Sequence, residues 1–270
     1  MFEFEKCKSF TQRARTSATV RDGFAFPEAG SPMQLDDQAL KPLYDATKIE
    51  GLSSTSKLTA LMAETQLLEA WPAGQTDENG IRVVAFPPYS GFTLLRGSME
   101  ASSLALWLLE NDDRTERLSR FAGLITYSQD QYLNVISEFH SARGNDDSGE
   151  AQAFNAKVAA LLDSAGIEPR NYPRSTKLIE KAGRYISCDE LNWSPKVAWQ
   201  VASGVAHGLP WSIQEAVRVV QGKAPGRVVH KVDAASYRYV YEAATVMFET
   251  LVERIQELQA APPEATDKES

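Results

Sequence analysis

The sequence predicts an all-α protein, a multi-helix bundle with an irregular N-terminal arm and a long C-terminal helix. Three observations carry this expectation. Tyr237, Tyr241, Ala244, Phe248, Leu251, Ile255 and Leu258 recur at steps of 4, 3, 4, 3, 4 and 3, the 3.5-residue period of a packed helix seam. Ser194-Pro195 and the pair Gly208 and Pro210 bracket KVAWQVASGVAH; Pro fits the first turn of a helix, and Gly accepts the left-handed turn that ends one. The only strand-like run is Ile81 to Phe86. With no second run of similar quality beside it, a short extended connector is expected and a sheet is not.

The elements follow in order. Residues 1–34 hold Gly23, Pro27, Gly30 and Pro32 with no helical period, which predicts an irregular arm. Its five phenylalanines are too many for a fully solvated tail, so part of it should lie against the body. The bundle domain is expected over 35–260. Its first helix starts near Leu35, with Asp36 or Asp37 as cap, and stops at Gly51; its second is capped by Ser53, Ser54 or Thr55 and ends at Pro72. Pro87-Pro88 opens a long helix to Glu110, and another runs from Arg114 to about His140. Further helices are expected at about 150–165, 175–183, 195–208, 211–220 and 232–260, before a disordered tail over 261–270. The long seam can serve the core of one bundle or a contact between subunits.

Composition narrows the function. The 270 residues carry 28 Lys and Arg against 36 Asp and Glu, a net charge of −8, so sequence-blind binding of polyanions is disfavoured unless cations cluster. Two cysteines, Cys7 and Cys188, build neither a disulfide framework nor a four-cysteine zinc site. No run approaches ~18 apolar residues and the start lacks a basic end before an apolar stretch, so a cytoplasmic protein with no membrane segment is expected.

One helix carries the most chemistry. At ~100° per residue, Phe92, Leu95, Met99, Ser103, Leu106 and Trp107 share an arc of roughly 120°, and Arg96 falls inside it. A guanidinium facing a core needs compensation, because leaving it unpaired costs several kcal/mol. Glu100, four residues on, is the nearest partner. The pair either fixes packing or lines a polar pocket in which Arg96 meets an anion. His207 closes a later helix on the same side as Gln200 and Ser203. It can be a general acid favoured by the helix dipole or simply a helix C-cap. His140 and His230 suggest neither catalysis nor, with His207, a metal site, and no metal or cofactor is expected. Arg114, Arg117 and Arg120 share a helical face that could attract phosphates, although a solvated face with ordinary ion pairs is the preferred reading. No P-loop, dinucleotide glycine pattern, G-x-S-x-G elbow or H-E-x-x-H stands in the chain.

The block PPYSGFTLLRGSMEASSLALWLLENDDRTERLSR, with SPKVAWQVASGVAHG about a hundred residues later, resembles a group of bacterial HEPN-like helical proteins. Their R-x-x-x-E helix precedes an S-x-x-x-H helix. The resemblance spans about residues 86–210 and points to Arg96, Glu100, Ser203 and His207 as the polar set. It implies a compact helical bundle, often dimeric, and many such domains cut RNA without metal through an Arg and a His on one helix. This chain lacks that pattern, since Gln200, Val201 and Ala202 occupy the positions before His207 where the Arg would stand. The resemblance therefore implies a binding or regulatory module, in a defence or toxin–antitoxin-like system. The alternatives are a metal-independent ribonuclease or nucleotide-modifying enzyme using Arg96, Glu100 and His207, and a purely structural interaction protein with these side chains sealed from solvent. Arg96, Ser203 and Gln200 are the ligand-binding candidates. The expected partners are a second copy through helices and an RNA or nucleotide.

Overall fold

The computed structural model describes residues 26–71, 73–76, 82–85, 89–143, 148–186, 191–221 and 228–261. Most of residues 1–34, both cysteines, the side chains of His140 and His230, and residues 262–270 lie outside them. The fold is all-α, with nine helices among the described residues: α1 (Pro32–Thr47), α2 (Leu52–Glu69), α3 (Ser90–Leu109), α4 (Arg114–Arg143), α5 (Ser148–Ser164), α6 (Ser175–Ala182), α7 (Pro195–Ala206), α8 (Pro210–Ala216) and α9 (Ala234–Gln259). Two antiparallel hairpins accompany them, β1 (Ala73–Thr76) with β2 (Arg82–Ala85) and β3 (Val217–Gln221) with β4 (Val228–Val232).

The hairpins correct two expectations. Within the strand-like run expected over 81–86, residues 82–85 do pair, in the register Ala73↔Ala85 to Thr76↔Arg82. Its partner, Ala-Gly-Gln-Thr, has little β-propensity of its own, which is why the pairing was not legible. The helix expected over 211–220 ends at Ala216; Val217 turns extended (φ −136°, ψ 125°) and the valine-rich run pairs Val217↔Val232 through Gln221↔Val228. β-branched side chains favour that pleated pairing over continued helix.

Helix starts also differ in detail. α1 begins at Pro32, within the stretch assigned to the arm, because Ser31 accepts a hydrogen bond from the Gln34 N–H at 3.3 Å and Pro32 fills the first turn. Asp36 and Asp37 are not its cap. Asp37 instead reaches the next helix, where its carboxylate accepts bonds from the Ser53 N–H at 3.1 Å and from the Ser53 hydroxyl. α9 begins two residues later than expected because Asp233 caps it, accepting from the Ser236 N–H at 3.0 Å.

Packing divides the described residues into two compact units, one drawn from residues 57–106 and 174–253, the other from 26–56, 107–173 and 254–261. In the first, the Ser98 hydroxyl donates to the Ala63 carbonyl at 2.9 Å and the buried Tyr237 hydroxyl to that of Ala70, joining α3 and α9 to α2 and its end. Tyr237 also meets Phe92 edge-on at 5.0 Å, and Trp71 meets Tyr241 at 5.5 Å. In the second, the Glu28 N–H donates to the Gln259 carbonyl at 3.0 Å, so the described end of the arm does lie against folded chain.

The seam of α9 is buried: Tyr237, Tyr241, Ala244, Phe248, Leu251, Ile255 and Leu258 are each at most 4% exposed. This one chain covers them, so the stripe is core. Each large side chain there contributes ~1.5–3 kcal/mol by leaving water.

The preferred reading of Arg114, Arg117 and Arg120 as a solvated face with ordinary ion pairs holds for the exposed Arg114 and is corrected for the other two. Arg117 and Arg120 are buried, and each faces carboxylates. Arg117 pairs with Asp36 at 2.7 Å, and Arg120 with Glu110 at 2.7 Å and Glu116 at 2.9 Å. Arg114 stands 3.5 Å from Asp36. Partners contributed by α1 and by the end of α3 and its following turn make Arg117 and Arg120 interior, while the Arg114 side chain stays exposed beside Asp36.

Candidate functional site

The polar site of the first unit is built by α3 and α7. The predicted arc of α3 is buried, with Phe92, Leu95, Met99, Ser103, Leu106 and Trp107 at most 2% exposed. Two features hold α3 close to α2: the Ser98 bond already described, and Gly97, where a Cβ would come within 2.7 Å of the Gln66 amide. Arg96 shares the arc but is long enough to carry its head outward along an apolar stem. Its side chain is 26% exposed and that of Glu100 30%, so the ion pair is neither sealed in the core nor free in solvent.

α7 is set by the signals that bracket it. The Ser194 hydroxyl accepts from the Val197 N–H at 3.4 Å and Pro195 occupies the first turn. At the other end Gly208 takes φ +69°, its N–H donates to the Val205 carbonyl at 3.0 Å, and the Leu209 N–H donates to that of Gly204 at 2.9 Å. These two bonds form the Schellman closure, and they make His207 the C-cap residue. Gly204 permits the chain to fold back, since a Cβ there would come within 2.6 Å of Ser212. The exposed imidazole is thereby fixed at the end of α7.

The helices converge. The Arg96 Nε donates to Glu100 Oε1 at 2.9 Å, and its Nη1 lies 3.1 Å from His207 Nε2. The Trp199 indole N–H donates to the same Glu100 oxygen at 3.0 Å. A guanidinium can only donate, so His207 Nε2 accepts and the ring proton belongs on Nδ1. The contact leaves Nδ1 as the ring atom that faces away from Arg96.

Glu100 balances the charge of Arg96, and their part-exposed bond contributes no more than ~0.5 kcal/mol to stability. The site is thus a positioning device more than a staple. Among the described residues, Arg96 Nη2 and His207 Nδ1 have no protein partner. Both are donors, and both belong to side chains that solvent reaches.

Of the predicted residues, the structure brings together Arg96, Glu100 and His207. Ser203 contributes only its carbonyl, which accepts the His207 N–H at 3.0 Å, and its side chain makes no described bond to the cluster. Gln200 is exposed and likewise makes none. Trp199 is the member that sequence reasoning missed. It stands eight residues before His207, about 80° round the helix at ~100° per residue, and its indole N–H needs an acceptor when half-buried. No group of His, Cys, Asp and Glu among the described residues is arranged to hold a metal ion. Likewise, no described helix is long and apolar enough to cross a membrane. Comparison with family profiles, with curated proteins and with solved structures found no match to this chain.

Proposed function

We propose that the chain is a HEPN-like binding and regulatory module of the cytoplasm, of the defence or toxin–antitoxin type that the resemblance implies, and that its Arg96 cluster receives the phosphate of an RNA or nucleotide. The observation that carries this reading is the 3.1 Å contact between Arg96 and His207, residues 111 positions apart. It orients a guanidinium edge and an imidazole N–H at one part-exposed place, a donor pair that suits a phosphate oxygen. Glu100 and Trp199 fix the geometry. Glu100 also limits affinity, because a ligand anion must approach beside its carboxylate.

The test is binding of labelled RNA and of nucleotides to the full chain. Arg96→Ala should weaken binding at least tenfold while leaving the circular dichroism spectrum and thermal midpoint unchanged. Unchanged affinity in that variant overturns the reading. A mass measurement in solution, with and without ligand, reads the expected second copy.

The same contact favours a second reading, a metal-independent ribonuclease or nucleotide-modifying enzyme. Arg96 would stand in space for the Arg missing from the helix of His207, neutralising the phosphate while His207 moves a proton at the leaving oxygen. Cleavage products distinguish the readings, and full RNA cleavage by His207→Ala removes the enzyme. The third reading, a purely structural role, requires these groups to be closed to solvent, and their exposure counts against it.

A further inference from the structure

The surface beside the Arg96–His207 contact carries an aromatic ring that the cluster does not use. Directly after His207, Gly208, Leu209, Pro210 and Trp211 are all exposed, and Trp211, 51% exposed, is the largest side chain among them. A single apolar residue at a surface is ordinary. Trp211 differs in where the chain puts it. α8 folds back on α7, so that the indole Cζ2 lies 3.0 Å from the point a Cβ on Gly204 would occupy. The ring is thus laid against the last turn of α7, and among the described residues it makes no ring contact and no hydrogen bond.

The same turn ends in His207. Residues three apart on a helix have Cβ atoms ~5–6 Å from one another, so Trp211 Cζ2 falls within roughly 9 Å of the His207 Cβ. At ~100° per residue, Gly204 lies about 60° from His207 round α7, and the exposed Gln200 falls between them. Trp199, which faces α3 through its bond to Glu100, lies about 80° from His207 in the opposite sense. Arg96 and the imidazole therefore border one side of a strip of exposed surface, the indole borders the other, and the Gln200 amide lies in it. A phosphate on the first pair and a planar ring on the indole can be joined by one ribose.

We propose that Trp211 is the base platform of this site, and that the ligand is an unpaired nucleotide, free or in single-stranded RNA. The proposal rests on the reading of Arg96 and His207 as a phosphate receptor. The base lies on the exposed face of the indole, a contact that any base makes through its π-face, while the phosphate takes the open donors Arg96 Nη2 and His207 Nδ1. A base stacked within a duplex cannot lie on the ring. A phosphate ester without a base keeps only the charged half of the contact.

Calorimetric titration of the full chain with AMP, ribose 5-phosphate, a short adenosine RNA strand and the same strand paired with its complement tests this. AMP should bind at least about fivefold more tightly than ribose 5-phosphate, and the single strand more tightly than the duplex. Trp211→Leu keeps an apolar side chain against Gly204 but removes the ring. It should bring AMP down to the affinity of ribose 5-phosphate and leave ribose 5-phosphate unchanged, whereas Trp211→Phe should retain most of the AMP affinity. Equal binding of AMP and ribose 5-phosphate by the parent chain, preference for the duplex, or an AMP affinity that Trp211→Leu leaves intact overturns the platform. So does an equal loss of both compounds in Trp211→Leu, which would mean that the indole only supports the fold. The tighter ligand of AMP and the single strand names the source of the nucleotide. Arg96→Ala separates the two claims: it should weaken AMP and ribose 5-phosphate alike, and if it weakens neither, the phosphate reading falls with the platform.

Discussion

Asp36 and Arg117, 81 positions apart, meet at 2.7 and 3.1 Å with their side chains 1% and 2% exposed. Nη1 of Arg117 donates to the carbonyls of Asn111 at 2.9 Å and Asp112 at 2.8 Å. The pair therefore ties α1 to the turn before α4. Removing one partner of such a pair costs about 3–5 kcal/mol, because the other stays buried and uncompensated. Asp36→Ala should lower the urea midpoint accordingly. Asp36→Leu combined with Arg117→Met should recover most of the loss, and a double variant as unstable as Asp36→Ala would show that the charges themselves are required.

Gly123 on α4 lies against the Arg170 backbone, where a Cβ would overlap the carbonyl oxygen. The Arg170 N–H is held to the Ser119 carbonyl at 2.9 Å, so the strand of chain cannot retreat freely. Gly123→Ala should cost about 1–3 kcal/mol through this overpacking. Gly149→Ala, with nothing within 4 Å of its Cβ, is the control and should be neutral or slightly stabilising. Denaturant midpoints of the two variants read the contrast.

Glu100 competes with any ligand anion for Arg96. Glu100→Gln keeps an acceptor for the Arg96 and Trp199 donors but removes the charge, and should raise phosphate affinity several-fold. Arg96→Lys should lower it about tenfold, because an ammonium cannot span the same two directions as the guanidinium fork. Fluorescence titration with a nucleotide measures both. Equal affinities in the two variants would mean that the anion lodges elsewhere.

Glu180 accepts from Lys177 at 2.7 Å and from Lys196 at 2.6 Å. The bond from Lys177, seconded by that from Lys196, lowers its pKa from 4.5 to about 2. A depressed carboxyl contributes stability above its unfolded value and loses it as pH falls through the folded one. The advantage of the parent chain over Glu180→Gln should accordingly be full above about pH 4.5 and vanish near pH 2. Acid titration followed by circular dichroism tests the sign, and a Glu180 carboxyl titrating near 4.5 by NMR would refute it.

The helices were largely legible because their signals are local. The α9 seam repeats a period that a single helix can satisfy, and Ser194-Pro195 with Gly208 state their own geometry. Arg96 and Glu100 were legible for the same reason, four residues being one turn. His207 could be suspected, but its meeting with Arg96 was not visible, since only the packing of α3 and α7 brings together residues 111 apart. The β1–β2 hairpin escaped for a related reason: a weak strand acquires its conformation from its partner.

Sequence alone determined the helical class, the seam and the inward arc of α3, all set by the periodicity of side chains along one element. Tertiary structure alone decided that Arg117 and Arg120 of α4 are interior and that Trp199 joins the polar cluster. Each of these depends on what a distant segment places opposite a side chain, and the energy of a charge or a buried polar atom is set by that opposite partner.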